Sequence, residues 1–248
     1  MTNQETFIHD LKQMPLTLSS LQIEQFTLYH DLLIVANEKT NLTAITEEDD
    51  IYKKHFLDSL ALIYWGCVEN DTPLSLADIG SGAGFPGIPL KIACPWLDVT
   101  LIEARMKRVH FLHNVIEQLG LANIRVVHGR AEELSRLSEY RERFDLCVSR
   151  AVAPLTVLVE YCLPYVKQGG LFVAYKTPNE DERTAADTII PVLGGEYERT
   201  LHFVLPGTQI ERTLIGINKV SSTPAKYPRR EAAIRKTLTK SSAHSHKE

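Results

Sequence analysis

Between Leu76 and Gly87 a short apolar run ends in Asp78 and is followed by Gly80-Ser81-Gly82-Ala83-Gly84-Phe85-Pro86-Gly87. Glycines at this density let a backbone turn sharply and approach a bound molecule closely. A helix starting at Gly87 would turn its free N–H groups toward the same molecule. Glu103 lies about twenty residues further on, at the end of the next apolar run, where an acid can accept hydrogen bonds from ribose hydroxyls. The spacing Gly82-x-Gly84-x-x-Gly87 matches a dinucleotide fingerprint, so a nicotinamide- or flavin-dependent enzyme is one candidate. Against it stand Phe85 and Pro86, placed where a pyrophosphate would approach the helix, and Asp78 ahead of the first glycine.

The elements around this loop follow from hydrophobic periodicity. Residues 1–66 read as a helical cap: Leu21, Leu28, Leu32 and Val35 recur at helical spacing, as do Phe56, Leu60 and Ile63. From Leu74 the rhythm changes to alternating strands and helices. Strands are predicted at Leu74–Ile79, Val99–Glu103, Ile124–His128, Phe144–Ser149 and Leu171–Lys176. Helices are predicted at Gly87–Cys94, Arg105–Leu119, Pro154–Val166 and Thr184–Leu193, with Gln168-Gly169-Gly170 as a turn. On the helix from Arg105, the residues Met106, Val109, Leu112, Ile116 and Leu119 form one face. Two last strands, Glu196–Val204 and Glu211–Val220, follow without an intervening helix. The fold class is therefore α/β, with a mostly parallel Rossmann-like sheet over residues 67–220 and an antiparallel edge hairpin. Residues 221–248 form a basic tail.

Composition narrows the setting. At 248 residues and a formal net charge of −4, the chain carries no general basic coat for nucleic acid. Its basic residues concentrate instead after Lys219, where phosphate contacts become plausible. No apolar stretch reaches membrane-spanning length, and the first residues lack a secretory signal. Cys67, Cys94, Cys147 and Cys162 form no CxxC pair, which fits free thiols in a reducing cytoplasm. No cluster has metal-ligand spacing. The expectation is a cytoplasmic monomer without membrane contact.

Asp78-x-Gly80-x-Gly82-x-Gly84 resembles motif I of S-adenosylmethionine-dependent methyltransferases, in which the loop wraps a cationic cofactor without phosphates. Glu103, Ala131-Glu132 and the Val166–Val173 segment fall in the order of that class I fold. After the fourth strand stands Ser149-Arg150-Ala151-Val152-Ala153-Pro154, in place of the Asp/Asn-Pro-Pro-aromatic of amino-group methylases. Cys94 and Cys147 read as core residues rather than nucleophiles. Substrates compatible with these residues are RNA, a small molecule or a protein, and a non-catalytic RNA-binding module stays open beside them.

Five segments together are similar to one family: Asn37-x-x-x-Asn41-Leu42-Thr43-Ala44-Ile45, Lys54-His55-Phe56-x-Asp58-Ser59-Leu60, Asp78–Gly87, Ser149-Arg150-Ala151 and Lys226-Tyr227-Pro228-Arg229-Arg230. It is the RsmG, or glucose-inhibited division protein B, family of bacterial small-subunit rRNA methyltransferases G. Ala36 departs from it, standing where many members carry an aromatic residue, as does the tail after Arg230. The resemblance implies methyl transfer from S-adenosylmethionine to N7 of a guanine in 16S rRNA, free or in the small subunit. It places the cofactor on Gly80, Phe85, Ala131, Glu132 and Arg150, with Gly82 in the loop and Glu103 as the ribose acid. Guanine N7 has a lone pair and no proton, so no general base is required, and no catalytic acid–base pair is assigned. Arg105, Lys107 and Arg108 begin a helix, where cations oppose its dipole. With Lys176, Arg229 and Arg230 they are the candidate RNA contacts. His55 reads first as a structural histidine on the helix with Phe56 and Leu60; the resemblance implies the alternative, in which it joins Lys54, Asp58, Ser59, Asn37 and Asn41 over the cofactor pocket.

Overall fold

The computed structural model describes residues 2–68, 72–230 and 232–234. The basic tail expected over 221–248 therefore lies outside the described residues from 235 on, with Glu231. The cap contains α1 (Asn3–Leu11), α2 (Ser20–Thr40), α3 (Glu48–Ile51), a π-helical segment Tyr52–Leu57, α4 (Asp58–Leu60) and a 3-10 turn Ala61–Trp65. Thr2 and Ser19 start the two long helices with capping boxes, each side chain accepting the N–H three residues on. Then follow β1 (Ser75–Ile79), α5 (Gly87–Ala93), β2 (Asp98–Glu103), α6 (Met106–Gln118), β3 (Ile124–His128), α7 (Ala131–Leu134) and β4 (Phe144–Arg150). The chain continues through α8 (Leu155–Cys162), β5 (Val166–Lys176), α9 (Glu180–Ala186), β6 (Gly195–Val204) and β7 (Glu211–Lys219).

The seven strands lie in the order β3-β2-β1-β4-β5-β7-β6. β1 pairs in parallel with β2 and with β4, and β7 runs antiparallel between β5 and β6. This is the mostly parallel sheet with an antiparallel edge hairpin that the alternation predicts. Strand order reverses at β1, so the carboxyl ends of β1 and β4 border the crevice where ligands bind in open α/β sheets. Side chains alternate between faces. Leu76, Val99, Leu101, Leu146, Val148 and Val173 share one apolar cluster with the cap, α5 and α6. Ala77, Ile79, Ile102, Cys147, Phe172 and Ala174 share the other with α8. The cap is thus part of the main hydrophobic core. Among the described residues no helix is long and apolar enough to cross a membrane.

Four local expectations are corrected. On α2 the buried face is Phe26, Tyr29, His30 and Leu33, whereas Leu21, Leu28 and Val35 are exposed. Periodicity identifies the helix, but the bulky aromatics have more area to bury and take the inner face. On α6 Met106 is exposed, and Phe111 and Val115 join Val109 and Leu112 inside. The helix expected to run to Val166 ends at Cys162, and Gln168-Gly169-Gly170 lies within β5 as an irregularity in its pairing with β4. The helix expected over Thr184–Leu193 is α9, which ends at Ala186, and a 3-10 turn at Pro191–Leu193. Pro164 supplies no N–H to continue α8.

Tyr29 joins the cap to the glycine loop. It is fully buried, stacks against Phe56 and Phe85, and donates its hydroxyl to the Ala83 carbonyl at 2.5 Å. Tyr29→Phe leaves that carbonyl unpaired, a cost of about 1–3 kcal/mol. The expected result is a Tm lower by several degrees in thermal unfolding, and an unchanged Tm refutes the link.

Candidate active site

Asp78 ends β1 fully buried. Its Oδ2 accepts the Gly87 N–H at 2.9 Å, and its Oδ1 has no partner among the described residues. A Cβ at Gly87 would meet Asp78 Oδ2 at 2.8 Å, so only glycine lets α5 begin on this carboxylate. Burial pushes the Asp78 carboxyl up to about 7, against the opposing pull of the Gly87 bond and of Arg150. Glu103, buried at the end of β2, holds the loop from the other side. Its carboxylate accepts the Gly82 N–H at 2.9 Å and the Arg105 N–H at 2.7 Å, with Arg108 3.6 Å away. Gly82 has φ +61°, so the residue presenting that N–H is in the left-handed region.

Arg150 ends β4 and reaches into the cap. Nη1 donates to Asp58 Oδ2 at 2.9 Å and to the Lys54 and His55 carbonyls, and Nη2 donates to His55 Nδ1 at 3.1 Å. Because Nδ1 accepts from a guanidinium, the proton of a neutral His55 belongs on Nε2, which donates to Thr43 Oγ1 at 2.8 Å. Burial, then Arg150, lower the His55 pKa to about 3, so the ring is neutral. It stacks on Phe85 with centroids 4.4 Å apart and planes 8° apart. Arg150 lies 5.0 Å from the centre of the same Phe85 ring. Asp58 Oδ1 accepts from Arg212 Nε at 3.1 Å, tying the cap to β7.

Phe85, Glu103, His55 and Arg150 border a cavity of about 870 Å³ at the carboxyl ends of β1, β2 and β4. Gly80, Gly82, Phe85, Glu103, Ala131, Glu132 and Arg150 all line it, with Arg105 and Arg108. Leu42, Thr43 and His55 contribute from the cap. Asn37 and Asn41 act one step away: Asn37 Oδ1 accepts the Thr43 N–H, and Asn41 closes α2 with φ 48°. Lys54 and Asp58 line an adjoining cavity of about 420 Å³, and Ser59 donates to the His55 carbonyl.

The candidate RNA contacts divide. Arg105 and Lys107 are exposed, whereas Arg108 is drawn toward Glu103. Lys176 is engaged within the fold, paired to Glu182 at 2.7 Å and donating to the Ala153 carbonyl at 3.0 Å. Arg229 is engaged as well: Nη2 meets Glu160 Oε2 at 2.6 Å and Nε meets Oε1 at 2.9 Å. Glu160 is fully buried and needs a cation, and Arg229 supplies it. Arg230 is exposed beside a third cavity, also lined by Arg130 and Arg136. Asp58, Arg212 and Glu182 carry no sequence signal as neighbours, because tertiary pairing alone assembles them. Ala151, at φ 55° between the two adjoining cavities, is likewise invisible to residue type.

The raised Asp78 pKa sets a sign. Above an unfolded value near 3.8 the unfolded chain has lost this proton while the native state keeps it until about 7. The native state is therefore penalised progressively as pH rises across that window. Asp78→Asn removes the titration, so the Tm of the variant minus that of the wild type should increase from pH 5 to pH 8. A difference independent of pH contradicts a buried, raised Asp78.

The comparisons with known proteins agree with this geometry. The family model for rRNA small subunit methyltransferase G matches residues 22–211. A protein of Lachnoclostridium phytofermentans named ribosomal RNA small subunit methyltransferase G is 50% identical over 230 residues, covering 92% of this chain and 94% of its own. One of the same name from Lactobacillus acidophilus is 48% identical over 236 residues, covering 94% and 98%. Among solved structures, a mutant of MtNAS in complex with S-adenosylmethionine is similar with a TM-score of 0.51 at 17% identity, over 81% of this chain and 77% of that one. That likeness is one of fold alone. By the extent of the family match and the identity of these relatives, the chain belongs to the rRNA small subunit methyltransferase G family.

Proposed function

We propose that this protein is an S-adenosylmethionine-dependent methyltransferase that methylates N7 of a guanine in 16S rRNA, working in the cytoplasm as a monomer. The observation that carries it is the convergence of the glycine loop, Glu103 and Arg150 on one cavity at the strand-order reversal. The donor set fits the cofactor. Glu103 offers a fixed carboxylate for ribose hydroxyls. Gly80, Gly82 and Phe85 form the loop wall, and Ala131 and Glu132 the wall beyond β3. Asp78 stands behind the loop: its carboxyl group accepts the Gly87 N–H and so fixes the start of α5.

When bound, the cofactor supplies an electrophilic methyl group on a sulfonium. The chain's own side chains then have to position rather than to move protons. On the cavity wall, both ring nitrogens of His55 are engaged and its ring is neutral. Both oxygens of Glu103 already accept backbone N–H groups. Neither is placed as a general base, which suits an acceptor such as N7 that has no proton to lose. A methyltransferase acting on an amino or hydroxyl group would need such a base. Arg150, clamped by His55 and Asp58, sets the floor between the cofactor side and the cap.

RNA affinity then depends on the exposed cations at the cavity rim. Combined Arg105→Ala and Lys107→Ala should weaken binding to small subunits and reduce the slope of log Kd against log salt by about 1–2, with cofactor affinity kept. A wild-type slope removes these residues from the interface. The reaction itself is tested with labelled S-adenosylmethionine, undermethylated small subunits and mapping of modified nucleosides. Label absent from guanine N7 of the 16S rRNA overturns the assignment.

A further inference from the structure

The cavity of about 420 Å³ next to the cofactor side has no role so far. It shares His55, Arg150 and Ala151 with the larger cavity, so whatever fills it meets the methyl donor's side across that wall. Its size is at the lower end of the range of small-molecule pockets, with room for a nucleobase. Tyr175, Phe203 and Leu214 give it apolar and aromatic surface. Two carboxylates line it, and they differ. Asp58 is saturated, one oxygen on Arg150 and the other on Arg212. Glu182 is held through Oε1 alone, by Lys176 at 2.7 Å and by the Leu155 N–H at 3.3 Å. Among the described residues nothing bonds its Oε2.

We propose that this second cavity receives the target guanine, flipped out of the RNA, and that Glu182 reads it. The inference rests on the guanine reading above and deepens it. Guanine presents two adjacent donors, N1–H and the 2-amino group, on its Watson–Crick edge, and a carboxylate accepts both. Adenine has an acceptor at N1 and is rejected by the same oxygen. The 2-amino group lies across the ring from N7, so a base read by Glu182 through that edge keeps its N7 edge free. Lys176 fixes Glu182 and also holds the Ala153 carbonyl, which joins base reading to the loop lining the cofactor side. Enzymes that do chemistry on a base recognise the extruded base by this edge.

The test uses the full chain and small subunits assembled on 16S rRNA with guanosine or inosine at the methylated position. Inosine keeps N7 and N1–H and lacks only the 2-amino group. Wild-type kcat/KM should fall about 10–100-fold on inosine, the worth of one hydrogen bond to a charged acceptor. Glu182→Gln keeps an oxygen for Lys176 and Leu155 and turns a donor toward the base. Its kcat/KM on guanosine should fall by a similar factor, its ratio between guanosine and inosine should approach one, and Tm and cofactor affinity should hold. Equal wild-type turnover of the two substrates overturns the proposal without any variant. So does a Glu182→Gln enzyme of lowered Tm that retains the wild-type ratio, since Glu182 is then only a brace. Failure of the wild type to methylate guanosine subunits overturns the parent assignment as well, whereas equal turnover of guanosine and inosine overturns this one alone.

Discussion

The Arg150 guanidinium is the interaction on which the site depends. From the end of β4 it spends its donors on Asp58, on His55 and on two carbonyls of the π-helical segment. A π-helical stretch there is consistent with carbonyls turned out of the usual ladder toward a cation. Removing this arginine would leave Asp58 with Arg212 alone and His55 Nδ1 without its donor. The cap would then lose its polar attachment to β4, keeping Arg212 on Asp58 and the Tyr175 hydroxyl on the Ser59 carbonyl near the place where both cavities meet. His55, held at both nitrogens, lies flat on Phe85 and so fixes the wall of the glycine loop. One planar, permanently charged group thereby sets the geometry of the cap, the loop and the partition between cavities.

The same electrostatic accounting governs the other buried ions. Glu160 is neutralised by Arg229, and Lys219 by Glu142 together with the Leu163 carbonyl. Asp10 and Asp78 are exceptions, each with one buried oxygen unpaired among the described residues. Asp78 has one backbone donor, and burial pushes its carboxyl up. A buried carboxylate left short of partners costs stability. A structural ion pair would have satisfied it within the fold, as Glu160 is satisfied.

The sheet and the loop were legible in the sequence because they rest on local patterns. Alternating apolar runs defined the strands, and Asp78 with its glycines needed no distant partner to be noticed. Glu103 was legible for the same reason, at the end of its own strand. The cations were not. Arg229 resembles a free basic residue in sequence, and only the fold places the buried Glu160 against it. Lys176 is absorbed likewise by Glu182. The face of α2 was misjudged because leucine spacing and aromatic spacing competed on one helix, and burial followed the larger area.

That failure and the second cavity have a common cause. Charges that are far apart in sequence meet only when the cap closes over the carboxyl edge of the sheet. Asp58 lies in the cap and Arg212 at the start of β7, yet together with Arg150 they form one chain of three charges. A Rossmann-like sheet by itself offers a crevice for the cofactor and little to enclose an acceptor. The cap and the antiparallel hairpin supply the missing walls, Lys54 and Asp58 from one and Phe203 and Arg212 from the other. On the reading proposed above, the cap and hairpin enclose the acceptor while Glu182 from α9 reads it, and the methyl donor is held chiefly by the sheet and its glycine loop. Substitutions in the glycine loop should act on donor binding whichever acceptor is offered, and those on the cap and hairpin walls should act through the acceptor.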